Sequence, residues 1–212
     1  SDTGEATVSA ASLTFTTGNW SSAQTVTVTG INDDVDDGNQ TTNVTVAVND
    51  GSSDDNFDSL VDQTVSVTTT DDDTAGFTLS GTTASVSETG TTDTFTVVLA
   101  SATTGHVVFA LSSVDTGEAT VSPATLTFTT SNWNSAQTVT VTGVDDTASD
   151  GNQTTNVTVA VNDSSTADST YDPRADQTVA GTTADDDSAG GTVAASGGCT
   201  TVTETGSTDT FT

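Results

Sequence analysis

A long internal repeat limits this chain's fold more than any other feature. DTGEATVS stands at Asp2–Ser9 and again at Asp115–Ser122, SAQTVTVTG at Ser22–Gly30 and Ser135–Gly143, and GNQTTNVTVAVND at Gly38–Asp50 and Gly151–Asp163. The offset is a constant 113 residues, and about forty of the forty-nine positions from Asp2 to Asp50 are identical to their counterparts. A third copy opens where SVSETGTTDTFT (Ser85–Thr96) returns as TVTETGSTDTFT (Thr201–Thr212). Solenoid units run to roughly 20–50 residues, so this repeat is domain-sized. The chain therefore reads as a slice of a tandem array: 1–75 a module lacking its first strands, 76–187 a complete module, and 188–212 the opening strands of a third.

Within the complete module the hydrophobic period is two. Phe95, Val97 and Leu99 fall on one face, as do Val107, Phe109 and Leu111, then Leu126 and Phe128, Val139 and Val141, and Val157, Val159 and Val161. Threonines fill the alternate positions, and β-branched residues suit a half-buried pleated sheet. Seven strands are expected, at about 77–88, 93–100, 106–112, 123–129, 136–143, 154–162 and 176–183, with a short edge piece at 119–121. Gly, Asn, Asp and Ser punctuate them. Seven short strands in such a length predict an all-β, antiparallel Greek-key sandwich of immunoglobulin-like form, repeated in tandem.

Charge narrows the function. The chain carries 30 acidic residues against one cation, Arg174, for a formal net charge of -29. With no basic patch to release phosphate counterions, nucleic acid is an unsuitable partner, and anionic membranes are equally so. No apolar run reaches the roughly 18 residues that span a bilayer. The single cysteine, Cys199, excludes an intrachain disulfide and has no acid–base neighbour in sequence.

Strand parity gathers the acids. If the first strand ends at the top of the sandwich, strands three, five and seven end there too. Glu88 ends the first, Asp115 and Glu118 follow the third, Asp145, Asp146 and Asp150 follow the fifth, and Asp185, Asp186 and Asp187 end the seventh. Each loop alone reads as a solvated turn; together these carboxylates repel one another strongly unless neutralised. Ca²⁺, which takes six to eight oxygens in flexible geometry, suits them best. Zn²⁺ would want His or Cys, and the sole histidine, His106, reads as a strand residue. The loop NDSSTADSTYD (Asn162–Asp172) lacks this convergence and reads as solvated. Trp20 and Trp133 read as turn-flanking aromatics capping the core, with a sugar-stacking platform as the alternative.

The order V-x-E-x-G in the first strand, then DTGEATVSPATLTFT…NWNSAQTVTVTGVDD, then a closing DDD resembles the Calx-beta domain, found in sodium/calcium exchangers and large bacterial surface proteins. The resemblance covers the whole and partial modules. It implies Ca²⁺ held at one pole by Glu88, Asp115, Asp145, Asp146, Asp150, Asp185, Asp186 and Asp187. In the first module it implies Asp2, Asp33, Asp36, Asp37, Asp71, Asp72 and Asp73, with Asn32 replacing one loop aspartate. No exchanger-like membrane segment accompanies it.

The resulting expectation is a structural repeat of a long extracellular filament or adhesin stalk at the cell surface, stiffened at each junction by Ca²⁺. Its partners would be neighbouring modules of the same chain and, in a fibre, other copies. The alternative is an adhesion module that binds glycans or protein. An enzyme is not expected, because no nucleophile–His pair or phosphate loop is present and no carboxylate stands apart as an acid. The N-x-S/T sequons at Asn39, Asn43, Asn152, Asn156 and Asn162 follow from threonine-rich composition.

Overall fold

The computed structural model describes residues 3–191. Asp2, Cys199 and the strands expected at 192–212 lie outside the described residues. Thirteen strands run through the described chain, with two short 3-10 turns. In the first copy β1 (Ala6–Val8) pairs antiparallel with β2 (Val28–Gly30), and β3 (Gln40–Val46) with β4 (Gln63–Thr69). The complete copy holds β5 (Phe77–Leu79), β6 (Thr83–Ser87), β7 (Thr92–Leu99), β8 (Val107–Ser113), β9 (Ala119–Ser122), β10 (Thr125–Phe128), β11 (Gln137–Gly143), β12 (Gln153–Val161) and β13 (Gln177–Ala184).

These nine strands form two facing sheets, ordered β10-β8-β12-β13-β6 and β5-β7-β11-β9. From β5 to β12 successive strands alternate between the sheets and β13 then pairs back on β12, which makes the module an immunoglobulin-like sandwich. The expected first strand is divided. Its β5 part pairs with β7 in the four-stranded sheet, and its β6 part pairs with β13 in the other. Gly81 lies in the short break between them, where the chain changes sheets. The β6–β13 pair is parallel, an exception to the antiparallel expectation. It is also what parity demands, since the first and last strands both run towards the top and lie side by side. The edge piece expected at 119–121 is β9, beside β11.

The alternation fixes the core. Phe95, Val97, Leu99, Val107, Phe109, Leu111, Leu126, Phe128, Val139, Val141, Val157, Val159 and Val179 all point inward and are buried. Phe109 sits between Phe77 and Phe128 in edge-to-face contacts with centroids 4.7 and 5.8 Å away. Trp133 packs against this core.

The bottom loop corrects the sequence reading. Asn162–Asp172 is not simply solvated, because Asp168 and Tyr171 within it are buried. The Tyr171 hydroxyl donates to the Ser101 carbonyl at 2.7 Å. The Asp168 carboxylate accepts from the Thr103 hydroxyl at 2.8 Å, the Thr104 amide at 2.7 Å and the Thr170 hydroxyl at 2.6 Å. Burial alone would raise the Asp168 carboxyl, but the bonds from Thr170, Thr104 and Thr103 outweigh it and hold it far below the usual range. Composition marked the segment as polar but could not show that Thr103 and Thr104, from the loop between β7 and β8, join Thr170 of the same segment as partners of Asp168.

Candidate metal centre

The top pole is assembled by four strand ends. Glu88, immediately after β6, has its amide bonded to the Ala184 carbonyl of β13 at 3.1 Å. Its side chain is only 1% exposed. Oε2 accepts weakly from the Asp186 amide at 3.4 Å, while Oε1 is buried without a hydrogen-bond partner. Gly143 makes this position reachable: a Cβ there would lie 2.1 Å from the Ser87 carbonyl oxygen, so only glycine lets the ends of β6 and β11 approach.

The loop after β11 turns on Asp146, whose Oδ1 accepts from the Ala148 amide at 2.6 Å. Asp185 anchors the closing run, accepting from the Gly151 amide at 2.6 Å and the Asp187 amide at 2.8 Å. Gly151 itself has a φ of 79°, a conformation glycine adopts readily. Glu118 comes in before β9; its carbonyl accepts from Val144 N at 2.9 Å and the Thr183 hydroxyl at 3.1 Å.

Two groups of carboxylates result. One oxygen from each of Glu88, Asp146 and Asp187 lies within 4.8 Å of the others, and so do oxygens of Glu118, Asp146 and Asp150. Asp146 belongs to both. Oxygens bound at about 2.4 Å on opposite sides of a Ca²⁺ ion are separated by about that distance. The donor set is wholly oxygen, as a hard cation prefers. Three buried oxygens, Glu88 Oε1, Glu118 Oε2 and Asp187 Oδ2, lack any hydrogen-bond partner. A buried orphan acceptor is costly, and the pole holds three. The residues present therefore fit a bound Ca²⁺.

Electrostatics agree. Burial pushes the Glu88 carboxyl up, against a smaller pull from the Asp186 amide, and Asp185, Asp146 and Asp150 push it further up. Burial also raises Glu118, helped by Asp150, Asp115 and Asp146, and raises Asp187, helped by Asp186, Asp185 and Asp145.

Not every expected ligand takes part in the two groups. Asp145 and Asp186 are exposed at the rim. Asp115 uses Oδ1 to accept from the Gly117 amide at 2.9 Å, closing its own turn. Asp185 holds the loop in place. Glu118 was placed at the pole by parity but left out of the ligand set that the resemblance implied; its recurrence in DTGE, as Glu5 in the first copy, was the available signal.

The first copy repeats most of the loop bonds of the pole, but among the described residues the close carboxylate groups occur only in the second. Gly38 N donates to Asp71 Oδ2 at 2.6 Å and Asp73 N to Asp71 Oδ1 at 2.8 Å. Val35 N donates to Asp33 Oδ1 at 2.8 Å, and the Glu5 carbonyl accepts from Ile31 N and Thr69 Oγ1. Glu5, Asp33, Asp37, Asp71, Asp72 and Asp73 line one shallow recess. Burial, then Asp72, Asp34 and Asp71, raise the Asp73 carboxyl. Asp36 faces elsewhere, as described below, and the first-strand glutamate has no counterpart among residues 3–75.

Neither a family model nor a curated protein matches the chain. Among solved structures it is similar to the E. coli chaperone DraB, with 9% identity over 55% of this chain and 59% of that one, at a TM-score of 0.39. Domains 4 and 5 of the S-layer protein SbsC give 22% identity over 58% of this chain and 59% of that one, at 0.37. Domains 1–6 of the surface layer protein SbsC give 20% identity over 82% of this chain and 24% of that one, at 0.39. The chain thus spans under two thirds of the length of each. Among the described residues no helix is long and apolar enough to cross a membrane.

Proposed function

We propose that the chain is a Ca²⁺-binding structural repeat of an extracellular array, of the Calx-beta kind that its motifs resemble, with cations at the top pole of each module stiffening the junction to the next. The observation that carries this reading is Glu88: a carboxylate almost fully buried, with one oxygen unpartnered, aimed at Asp146 and Asp187. Glu88, Asp146 and Asp187 would hold one ion, and Glu118, Asp146 and Asp150 a second position. The cation supplies positive charge that the chain lacks. Extracellular modules hold Ca²⁺ at roughly 10⁻⁴–10⁻³ M.

An acid–base enzyme needs two carboxyls driven apart in pKa. Glu88, Glu118 and Asp187 are all driven the same way, which is the condition a cation relieves. A glycan platform needs a presented ring; Trp133 packs against the core, whereas Trp20 is 74% exposed and does not cap a core in the described first copy.

Calorimetry and thermal melting of the full chain with Ca²⁺ and with chelator test the reading. Saturation at about 100 times Kd should add about 2.7 kcal/mol. Glu88→Gln should raise the melting temperature in chelator, by removing a buried charge, and shrink the gain on adding Ca²⁺. A native chain whose melting is indifferent to both Ca²⁺ and chelator would defeat it.

A further inference from the structure

Among the described residues the polar contacts between the two copies gather at one place, beside the chain's one arginine. The loop Asp33–Asp37 of the first copy meets the bottom of the second. Ala102 N donates to the Asp34 carbonyl at 2.6 Å, and Val35 and Ala102 form a parallel bridge. Beside it Arg174 Nη2 lies 3.5 Å from Asp36 Oδ2, which also accepts from the Ala75 amide at 2.7 Å. Arg174 is held for this contact. Its Nε donates to the Thr170 carbonyl at 3.0 Å and its amide to the Tyr171 carbonyl at 3.1 Å, in the loop that Asp168 and Tyr171 anchor.

The repeat supplies the control. Where the second copy has Arg174, the aligned residue of the first is Leu60. Where the first copy has Asp36, the second has Ser149. Both positions lie in variable stretches of the repeat: INDDVDD (31–37) stands against VDDTASD (144–150), and FDSLVDQ (57–63) against YDPRADQ (171–177), while GNQTTNVTVAVND between them is unchanged. Both halves of the ion pair are therefore specific to this joint.

We propose that the bottom of the second module is a docking surface for the acidic loop of the module before it, and that Arg174 selects a loop carrying an aspartate at the position of Asp36. Asp36 is thereby a joint residue and not a cation ligand. A following module would meet Ser149, which offers no charge to an arginine, so this ion pair could not form from the top of the second module. The inference rests on the reading of the chain as a structural array but not on the cation.

A partly exposed ion pair is a modest bias, and its loss should change the docked-to-undocked ratio by up to about fivefold. The backbone bridge at Ala102 carries the remainder, aided by the short tether between β4 and β5.

The test is pulsed electron paramagnetic resonance on the full chain, with Cys199→Ser removing the native thiol and spin labels at Ser21→Cys and Ser135→Cys. In chelator the native pair should give a narrow distance distribution that broadens at about 1 M salt. Asp36→Ser and Arg174→Leu should each broaden it at low salt, and the double variant should broaden it no further. Each substitution is the residue that the other copy already carries, so both modules tolerate it; melting curves confirm folding. Distributions unchanged in both single variants, or broadened additively in the double variant, would overturn the clamp. The same series in Ca²⁺ separates the two ideas. A clamp effect with no response to Ca²⁺ leaves the inference and removes the cation reading. A Ca²⁺ response with indifferent variants does the reverse.

Discussion

The two copies share most of their sequence and differ in what covers it. Phe15 is 54% exposed, whereas Phe128, its counterpart in the same LTFTT, is completely buried. Phe57 is 54% exposed, whereas Tyr171 is completely buried. Val46 and Val65 are exposed, whereas Val159 and Val179 are core. The strands that cover the second set, β5 to β8, come from residues 77–113, and the described first copy contains no equivalent. Its β1–β2 and β3–β4 pairs and the loop bonds of its acidic pole nevertheless match those of the second copy, although LTFTT forms no strand there. Strand pairing and loop geometry are therefore local properties of the repeat, and the core is a property of the whole sandwich.

The sharpest way to break this comparison is a matched deletion. Phe128→Ala removes a ring packed edge-to-face on Phe109 and should cost about 3–5 kcal/mol. Phe15→Ala removes a half-exposed ring and should stay within about 0.5 kcal/mol. Urea unfolding of both variants measures the difference. Equal losses would mean that the first copy owns a core comparable to the second.

A smaller effect separates the poles. A Cβ at Gly143 collides with the Ser87 carbonyl, whereas at Gly30 the nearest neighbour is Thr69 Cγ2 at 3.4 Å. Gly143→Ala should destabilise by about 1–3 kcal/mol, as overpacking does. It should also weaken Ca²⁺ binding, because Glu88 is displaced. Gly30→Ala should do neither. Calorimetric titration with Ca²⁺ beside thermal melts would show whether the crossing of β6 and β11 does position the glutamate.

The smallest effect is on pH. Glu88, Glu118, Asp187 and Asp73 all have raised carboxyls, so the folded state holds these protons more tightly than the unfolded chain. Their stabilising contribution is full below the ordinary carboxylate range near about 4 and is lost as pH rises through the raised values. In chelator the melting temperature should rise on acidification from neutral pH towards the ordinary carboxylate range. With saturating Ca²⁺ the slope should reverse, because protons then compete with the ion. Glu88→Gln should flatten the slope in chelator. Three of the four groups lie in the second copy, so that module should show most of the change when its melting is followed through Trp133 fluorescence. Asp168 has the opposite sign, and its contribution fades only in strong acid.

Much of this was legible in the chain. Alternating Val and Thr placed the strands of the second module within a few residues, since a period of two admits no other buried face. Parity brought Glu88, Glu118, Asp146, Asp150 and Asp187 to one end, because antiparallel order leaves alternate strand ends no other place. Composition also showed that the acids lack cations of their own. Three things were decided only by the fold. The first strand split across two sheets, which no pattern within 77–88 specified. Asp168 and Tyr171 became buried because Ser101, Thr103 and Thr104 meet them from a loop more than sixty residues away in sequence. Asp36, indistinguishable from Asp37 as a letter, turned to Arg174 of the next module. A repeat determines what each strand and turn does by itself. Which of two equal carboxylates stays at the acidic pole and which faces a neighbour depends on long-range packing, and only the assembled sandwich provides that.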